Sequence, residues 1–225
     1  MTRRELLAVL AAAVALTTSK GKAQEAWYAL KGDDGRPVEN TRIPVEIAVE
    51  AESLPGAVRV GGAAADATVI EFFDYNCPYC RKAAPDFEAM LRRNRELRLI
   101  LVHNPVLSPQ SKEAAKVALA VRQARGDQVA YELHRRLFQL KGKVDGQRAL
   151  AAAGELGLDT AQTAAAAASD AIRDQLNGQM KLAASMGFSA TPSFLVAGAG
   201  VLGYPGPKAM AGIVSSVRRC GEIAC

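Results

Sequence analysis

Ala67-Thr68-Val69-Ile70-Glu71-Phe72-Phe73-Asp74-Tyr75-Asn76-Cys77-Pro78-Tyr79-Cys80 is the stretch that decides how this chain folds. From Ala67 to Phe73 it is apolar, β-branched and aromatic with one acid inside, the pattern of a strand buried on both faces. Asp74-Tyr75-Asn76 ends that strand, and a helical pattern starts around Cys77. Phe87, Met90 and Leu91 then share a helix face, with Ala83 and Ala84 above them. Pro85 removes an amide donor within that pattern, so a kink is expected there. Leu97-Arg98-Leu99-Ile100-Leu101-Val102 returns to strand. The order is strand, helix, strand, with two cysteines at the first junction.

That junction is where thiol chemistry is favoured. A thiolate at a helix N-terminus is stabilised by unpaired amides and the helix dipole, which lowers the Cys77 pKa below about 8.5. Two intervening residues, Pro78 and Tyr79, leave Cys80 one turn away, within reach of a mixed disulfide formed at Cys77. Cys77 is therefore read as the nucleophile and Cys80 as the resolving thiol. A metal half-site and a plain structural bridge are the alternatives. Zinc would require two more ligands, and the only histidines, His103 and His134, stand in isolated positions suited to structural or surface roles. Glu71 shares a strand face with Val69 and Phe73. Burial there would raise its pKa and let it exchange a proton with the dithiol; the alternative is an edge acid paired with a lysine.

Downstream, Ser108-Pro109 reads as an N-cap and first helical residue. Helices are expected from about residue 107 to 186, with Gly126-Asp127 as a break and Asp159-Thr160-Ala161-Gln162 as a capping box. Ser193-Phe194-Leu195-Val196 reads as a strand, Gly198–Gly200 as a turn and Val201-Leu202 as the partner strand. Pro207 starts a last helix carrying Met210, Ile213, Val214 and Val217. The pattern is one α/β domain over residues 66–219 with an inserted α-helical subdomain.

Upstream, residues 24–65 read as an N-terminal arm with little core-forming power, holding a turn at Gly32–Pro37 and a possible strand at Val45–Val49. Residues 1–23 read as a cleavable export signal. Arg3-Arg4 precede an apolar run, Leu6–Leu16, that is too short to span a bilayer, and small residues follow as far as Ala23. The double arginine fits either the twin-arginine or the ordinary secretory route. Such a chain would reach the periplasm, where disulfides persist.

Composition excludes several classes. The 225 residues are 49% hydrophobic, so a packed core is expected; 43 of them are alanine, which buries little area per side chain. The net charge of +5 falls to +2 once residues 1–23 (four basic, one acidic) are set aside, too balanced for a nucleic-acid binder. The remaining cysteines, Cys220 and Cys225 of the tail at 220–225, are expected to form a local structural disulfide. An auxiliary redox relay and free or intermolecular thiols are the alternatives.

The segment Glu71–Arg81 resembles the active-site segment of bacterial DsbA-like thiol:disulfide oxidoreductases. Thr191-Pro192 resembles their second signature, and Gly157-Leu158-Asp159 with Ala184–Gly187 fits the same pattern. The similarity spans roughly residues 55–219, and the two signatures lie 112 residues apart (Cys80 to Pro192). The resemblance implies a thioredoxin-like fold with an inserted helical subdomain. It also implies a cis Pro192 facing the dithiol, where Thr191 and its backbone edge would receive a cysteine-containing substrate strand. Tyr75 and Tyr79 are candidates for an apolar substrate rim, and related enzymes carry an acid where Glu71 stands. Tyr79 replaces the histidine of the most oxidising relatives, so a less extreme potential is expected.

The function expected is oxidation of thiols in exported, cysteine-containing substrate proteins through a Cys77–Cys80 disulfide, with no cofactor. A membrane redox partner, a quinone-linked oxidant, would restore the disulfide. The competing readings are a periplasmic reductase or isomerase fed by a membrane electron donor, and a chaperone or metal-binding module without redox turnover.

Overall fold

The computed structural model describes residues 27–62 and 64–225. In chain order the elements are β1 (Asn40–Arg42), α1 (Val45–Ser53), β2 (Val58–Gly61), β3 (Ala67–Phe73), α2 (Pro78–Arg93), β4 (Leu97–His103), α3 (Pro109–Gln139), α4 (Gly146–Glu155), α5 (Thr160–Ala167), α6 (Asp170–Ser185), β5 (Ser193–Val196), β6 (Ala199–Leu202) and α7 (Pro207–Cys220). The strands form one sheet in the order β1-β6-β5-β3-β4-β2. β3 and β4 run parallel, joined by α2 as a crossover of the kind parallel strands require, and the remaining pairs are antiparallel. This is the thioredoxin-like α/β fold, with α3–α6 inserted between β4 and β5.

β3 is central, and alternation sends its side chains into two different layers. Val69 and Phe73 join Leu99, Leu101, Phe194 and residues of α2, α3 and α7 in the larger core. Ile70 and Phe72 point the other way, toward Ile43, Leu54, Leu182 and Phe188. Both faces are covered, which explains why β3 and β4 read as nearly continuous apolar runs. α2 runs through Pro85 and buries Ala83, Phe87 and Met90.

The inserted helices start where side-chain acceptors meet free amides. Ser108, Asp145, Asp159 and Ser169 each accept the N–H three residues on, and Gly126, at φ 76°, breaks α3 where the sequence places the break. α7 is capped from a distance. Asp33 accepts the amides of Lys208 and Ala209 at 3.1 and 2.7 Å, and Gly206 gives the carboxylate room, since a Cβ there would lie 2.6 Å from Asp33 Cγ.

Three expectations need correction. Val45–Val49 is not a strand but the start of α1, which begins directly after Pro44. Ile47, Ala48 and Ala51 pack on the second core layer at helical spacing, while Val45 and Val49 are left 66% and 61% exposed. Val45, Ile47 and Val49 fall at a strand period, but burial follows the helical one. The segment before β3 also builds more core than expected, since Val38, Ile43, Leu54 and Val58 are buried and β1 and β2 form the two sheet edges. Finally, the β5–β6 turn is Ala197-Gly198, both at positive φ, and Gly200 belongs to β6. A Cβ on Gly200 would sit 2.9 Å from the Phe188 ring. The signal assigned to residues 1–23 lies outside the described residues.

Candidate active site

Cys77 is the N-cap of α2, and Pro78 occupies the first helical position, where its missing N–H costs nothing. The Cys77 sulfur accepts the Cys80 amide at 3.5 Å and lies 3.1 Å from the Thr191 carbonyl oxygen. The Thr191–Pro192 bond is cis, as the resemblance implies, and brings that carbonyl to the dithiol from 114 residues away. Both cysteines are free thiols and largely covered, Cys77 at 3% and Cys80 at 0% exposure, whereas Pro78 and Tyr79 are open to solvent.

The two sulfurs differ sharply as acids. The Cys80 thiol, donating to Cys77, holds the Cys77 pKa down at about 6 against the opposing effect of burial; the Thr191 hydroxyl and the amides of Cys80 and Tyr79 add to this. That hydroxyl oxygen is buried without a hydrogen-bond partner among the described residues, so it is free to turn its proton toward the sulfur once Cys77 ionises. Cys80 is pushed far up by burial, by its bond to Cys77 and by the charges of Glu71 and Cys77. Near neutral pH the pair is one thiolate and one thiol.

Glu71 stands in β3 opposite Leu101 and Phe194, 1% exposed. Burial first, and then the Cys77 thiolate, raises its pKa to about 8, and its Oε1 has no hydrogen-bond partner among the described residues. A neutral carboxylic acid in this place is able to give or take one proton as Cys80 changes state.

Three side chains that the sequence reading passed over as turn or helix residues fix this junction. Asp74, buried, accepts the amides of Asn76 and Leu107 at 2.7 and 3.0 Å. Asn76 bonds both the N–H and the carbonyl of Val144 and also donates to Ser111 Oγ. Arg81, in the first turn of α2, donates to the carbonyls of Phe138 and Leu140, closing the C-terminal end of α3. The segment next to Cys77 is thus tied to the inserted helices. Asp and Asn before a helix were visible in the sequence, but their distant partners were not.

The aromatic candidates separate. Tyr79 is 63% exposed beside the cysteines, together with Val106 and Leu107 (41% and 53%) on the loop that Asp74 holds. Tyr75 is 2% exposed and lies beneath the site, its ring 5.0 Å from Phe73 and 5.3 Å from Phe138. His103 and His134 pack into the same cluster, each ring within 5 Å of Phe73. Burial depresses their pKa values to about 4 and about 3. His103 Nδ1 faces Gln179 Oε1 at 3.2 Å, which assigns the ring proton to Nδ1. Both are structural residues. Among the described residues no group of three His, Cys, Asp or Glu is placed to hold a metal ion.

Cys220 and Cys225 are bonded to each other. Arg218 reaches Asp66 and Asn94, which places the end of α7 beside the start of β3 and the end of α2. Cys77 lies at the opposite end of both elements, roughly 24 Å along the 16 residues of α2. A relay between the two pairs within one molecule is ruled out by that separation.

A low-pKa thiolate capping a helix, a buried partner thiol and a cis-proline edge define a thioredoxin-fold enzyme of thiol:disulfide exchange. The profile of the DSBA-like thioredoxin domain matches residues 68–215, and the chain belongs to that family. Among solved structures it is similar to a thioredoxin-like oxidoreductase from Silicibacter pomeroyi DSS-3, with 35% identity and a TM-score of 0.69 over 76% of this chain and 97% of that one. It shares its fold with the catalytic domain of Proteus mirabilis ScsC, at 22% identity and a TM-score of 0.70 over 79% and 99% of the two chains. A curated relative, a Na(+)/H(+) antiporter NhaA 1 from Salinispora arenicola, is 30% identical over 146 residues. That match takes in 60% of this chain, which spans about a fifth of the antiporter's length. No described helix is long and apolar enough to cross a membrane.

Proposed function

We propose that this protein is exported to the periplasm by the signal at residues 1–23 and there oxidises thiol pairs in other polypeptides. The observation that carries this reading is the inequality of the two sulfurs, Cys77 ionised from about pH 6 and Cys80 held protonated. Stabilising the Cys77 thiolate stabilises the reduced enzyme, and this makes the Cys77–Cys80 disulfide a better oxidant.

The reaction starts from the oxidised pair. A substrate thiolate attacks Cys77 Sγ and the Cys77–Cys80 bond breaks. Cys80 leaves with the electron pair and takes a proton from the Glu71 carboxylic acid. A second substrate thiolate then attacks the substrate sulfur of the mixed disulfide, and Cys77 leaves as a thiolate held by the amides of Cys80 and Tyr79. The substrate gains a disulfide and the enzyme is left reduced, for reoxidation by a quinone-linked membrane partner. Thr191 lies against the reacting sulfur, and exposed Tyr79, Val106 and Leu107 supply an apolar rim for a substrate segment flanking the attacked cysteine.

A second reading, a reductase or isomerase fed by a membrane electron donor, has one observation in its favour. A Cys77 pKa of about 6 lies nearer the thioredoxin value of ≈ 7 than the ≈ 3.5 of the strongest oxidant. Equilibration of residues 24–225 in glutathione buffers separates the two. A potential at or above about −150 mV marks a disulfide donor, and one below about −220 mV marks a reductase or isomerase.

A further inference from the structure

The Cys220–Cys225 bridge lies at the end of the molecule remote from Cys77, and its surroundings are not those of a simple brace. Both cysteines are exposed. The Arg219 guanidinium, which also donates to Ser216 Oγ, stands 3.3 Å from the Cys225 sulfur. The tail is also anchored without the bridge. Gly221 closes α7 in the left-handed conformation, its N–H returning to Val217, and Ile223, 1% exposed, is seated in the main core.

We propose that Cys220–Cys225 is a second thiol–disulfide centre, independent of Cys77–Cys80, which accepts two electrons from an external dithiol. One thiolate of that dithiol attacks Cys220 Sγ, the Cys220–Cys225 bond breaks, and Cys225 leaves with the electron pair as a thiolate beside Arg219. The second thiol of the donor gives up its proton and attacks the donor sulfur of the mixed disulfide, displacing Cys220. The donor ends as a disulfide, and Cys220 and Cys225 end as a dithiol that has taken up the two electrons and the balancing protons.

Arg219 sets the direction of this assignment. A cation beside one sulfur lowers that thiol's pKa, makes it the better leaving group and favours the reduced state. It also selects the sulfur attacked, because departure of Cys225 is the step the guanidinium assists. A bridge serving only to brace the tail would be weakened by the same contact. The short ring points the same way, since closing a loop of so few residues restrains the unfolded chain least.

The test uses the intact protein. It is equilibrated across a series of reduced-to-oxidised glutathione ratios, quenched with iodoacetamide and digested with trypsin. Cleavage after Arg219 yields one peptide, residues 220–225, that carries both cysteines and reports on this pair alone. The expected result is a two-electron titration with a measurable midpoint. Arg219→Gln should shift the equilibrium constant roughly three- to tenfold toward the disulfide, and Arg219→Lys should restore most of the shift. A pair that stays oxidised in large excess of reduced glutathione would overturn the proposal, as would a midpoint unmoved in Arg219→Gln. Thermal unfolding of the same variants separates this electrostatic effect from loss of fold.

Discussion

The side-chain amide of Asn76 forms a two-way bridge with the backbone of Val144. Its Oδ1 accepts the Val144 N–H at 2.7 Å and its Nδ2 donates to the Val144 carbonyl at 2.8 Å. Val144 is fully buried, so no water replaces these bonds. Asn76 immediately precedes Cys77, and the bridge makes the loop before α4 part of the frame that fixes the N-terminus of α2.

Asn76→Ala should therefore act on both stability and chemistry. Leaving two buried peptide groups unpaired costs about 1–3 kcal/mol each, to be read as a lower urea midpoint. Loosening of the junction should also raise the Cys77 pKa toward that of a free thiol, followed by thiolate absorbance against pH. Unchanged values in both measurements would mean that the bridge does not restrain the site.

The Cys77 thiolate gives the reduced protein its own pH dependence. Its folded pKa, about 6, lies below the unfolded value of about 9. The stabilisation is thus fully present above pH 9 and lost as pH falls through 6. The oxidised protein has no such group. Between these limits the folding stability of the reduced form should rise relative to that of the oxidised form by about 1.4 kcal/mol per pH unit. Correspondingly, the potential should fall by only about 30 mV per pH unit there, because reduction takes up one proton, against about 59 mV per unit below pH 6, where it takes up two. Potentials measured at pH 5, 7 and 8.5 test both slopes.

Glu71 acts in the opposite sense. Its folded pKa is raised to about 8 from 4.5, so its contribution is complete below pH 4.5 and lost as pH rises through 8. In Glu71→Leu that decline should vanish, with a gain of about 3–5 kcal/mol above pH 8. Glu71→Gln should slow turnover about 10- to 100-fold by removing the proton donor to Cys80. Denaturation of the oxidised protein across pH, with single-turnover kinetics on a dithiol peptide, checks each part.

His103 and His134 determine the acid limit. Both fold neutral, with pKa values lowered to about 4 and about 3 from 6.5. Stability is complete above pH 6.5 and falls as pH drops toward 4, each ring taking up a proton on unfolding, at about 1.4 kcal/mol per pH unit per ring. His134→Phe should halve that slope, because a phenyl ring fits the cluster with Phe73 and Phe138 and does not titrate. Urea midpoints at several pH values from 4 to 7 measure it.

How much the sequence discloses depends on the distance between partners. β3, α2 and β4 are legible because periodicity, turn residues and the Cys77–Cys80 spacing all lie within one short stretch. Cys77 and Glu71 follow from that frame, by helix start and strand alternation. β1 is not legible, since three residues without a pattern become a strand only by pairing with Ala199–Val201. α1 is misread because Val45, Ile47 and Val49 fall at strand spacing, while the stripe it buries, Ile47, Ala48 and Ala51, packs on the layer that holds Phe72 and Phe188. The places of Tyr75 and Tyr79 show the same limit: two tyrosines of one motif, one buried under the site and the other in solvent. The loop of Val106 and Leu107 is held beside the start of α2 by Asp74, which accepts the Leu107 amide, a contact no local pattern encodes.

The bond between the Cys77 sulfur and the Thr191 carbonyl crosses 114 residues, and this has a consequence for timing. As the chain is synthesised, Cys77 emerges long before Thr191, and β1 long before its partner β6. Through that interval the sulfur lacks the Thr191 hydroxyl, which lowers its pKa, and the β3–β5 pairing that brings it has not formed. Part of its acid strength is therefore withheld until the C-terminal third arrives, so the nascent chain carries a more ordinary cysteine and acquires its reactivity as the sheet closes.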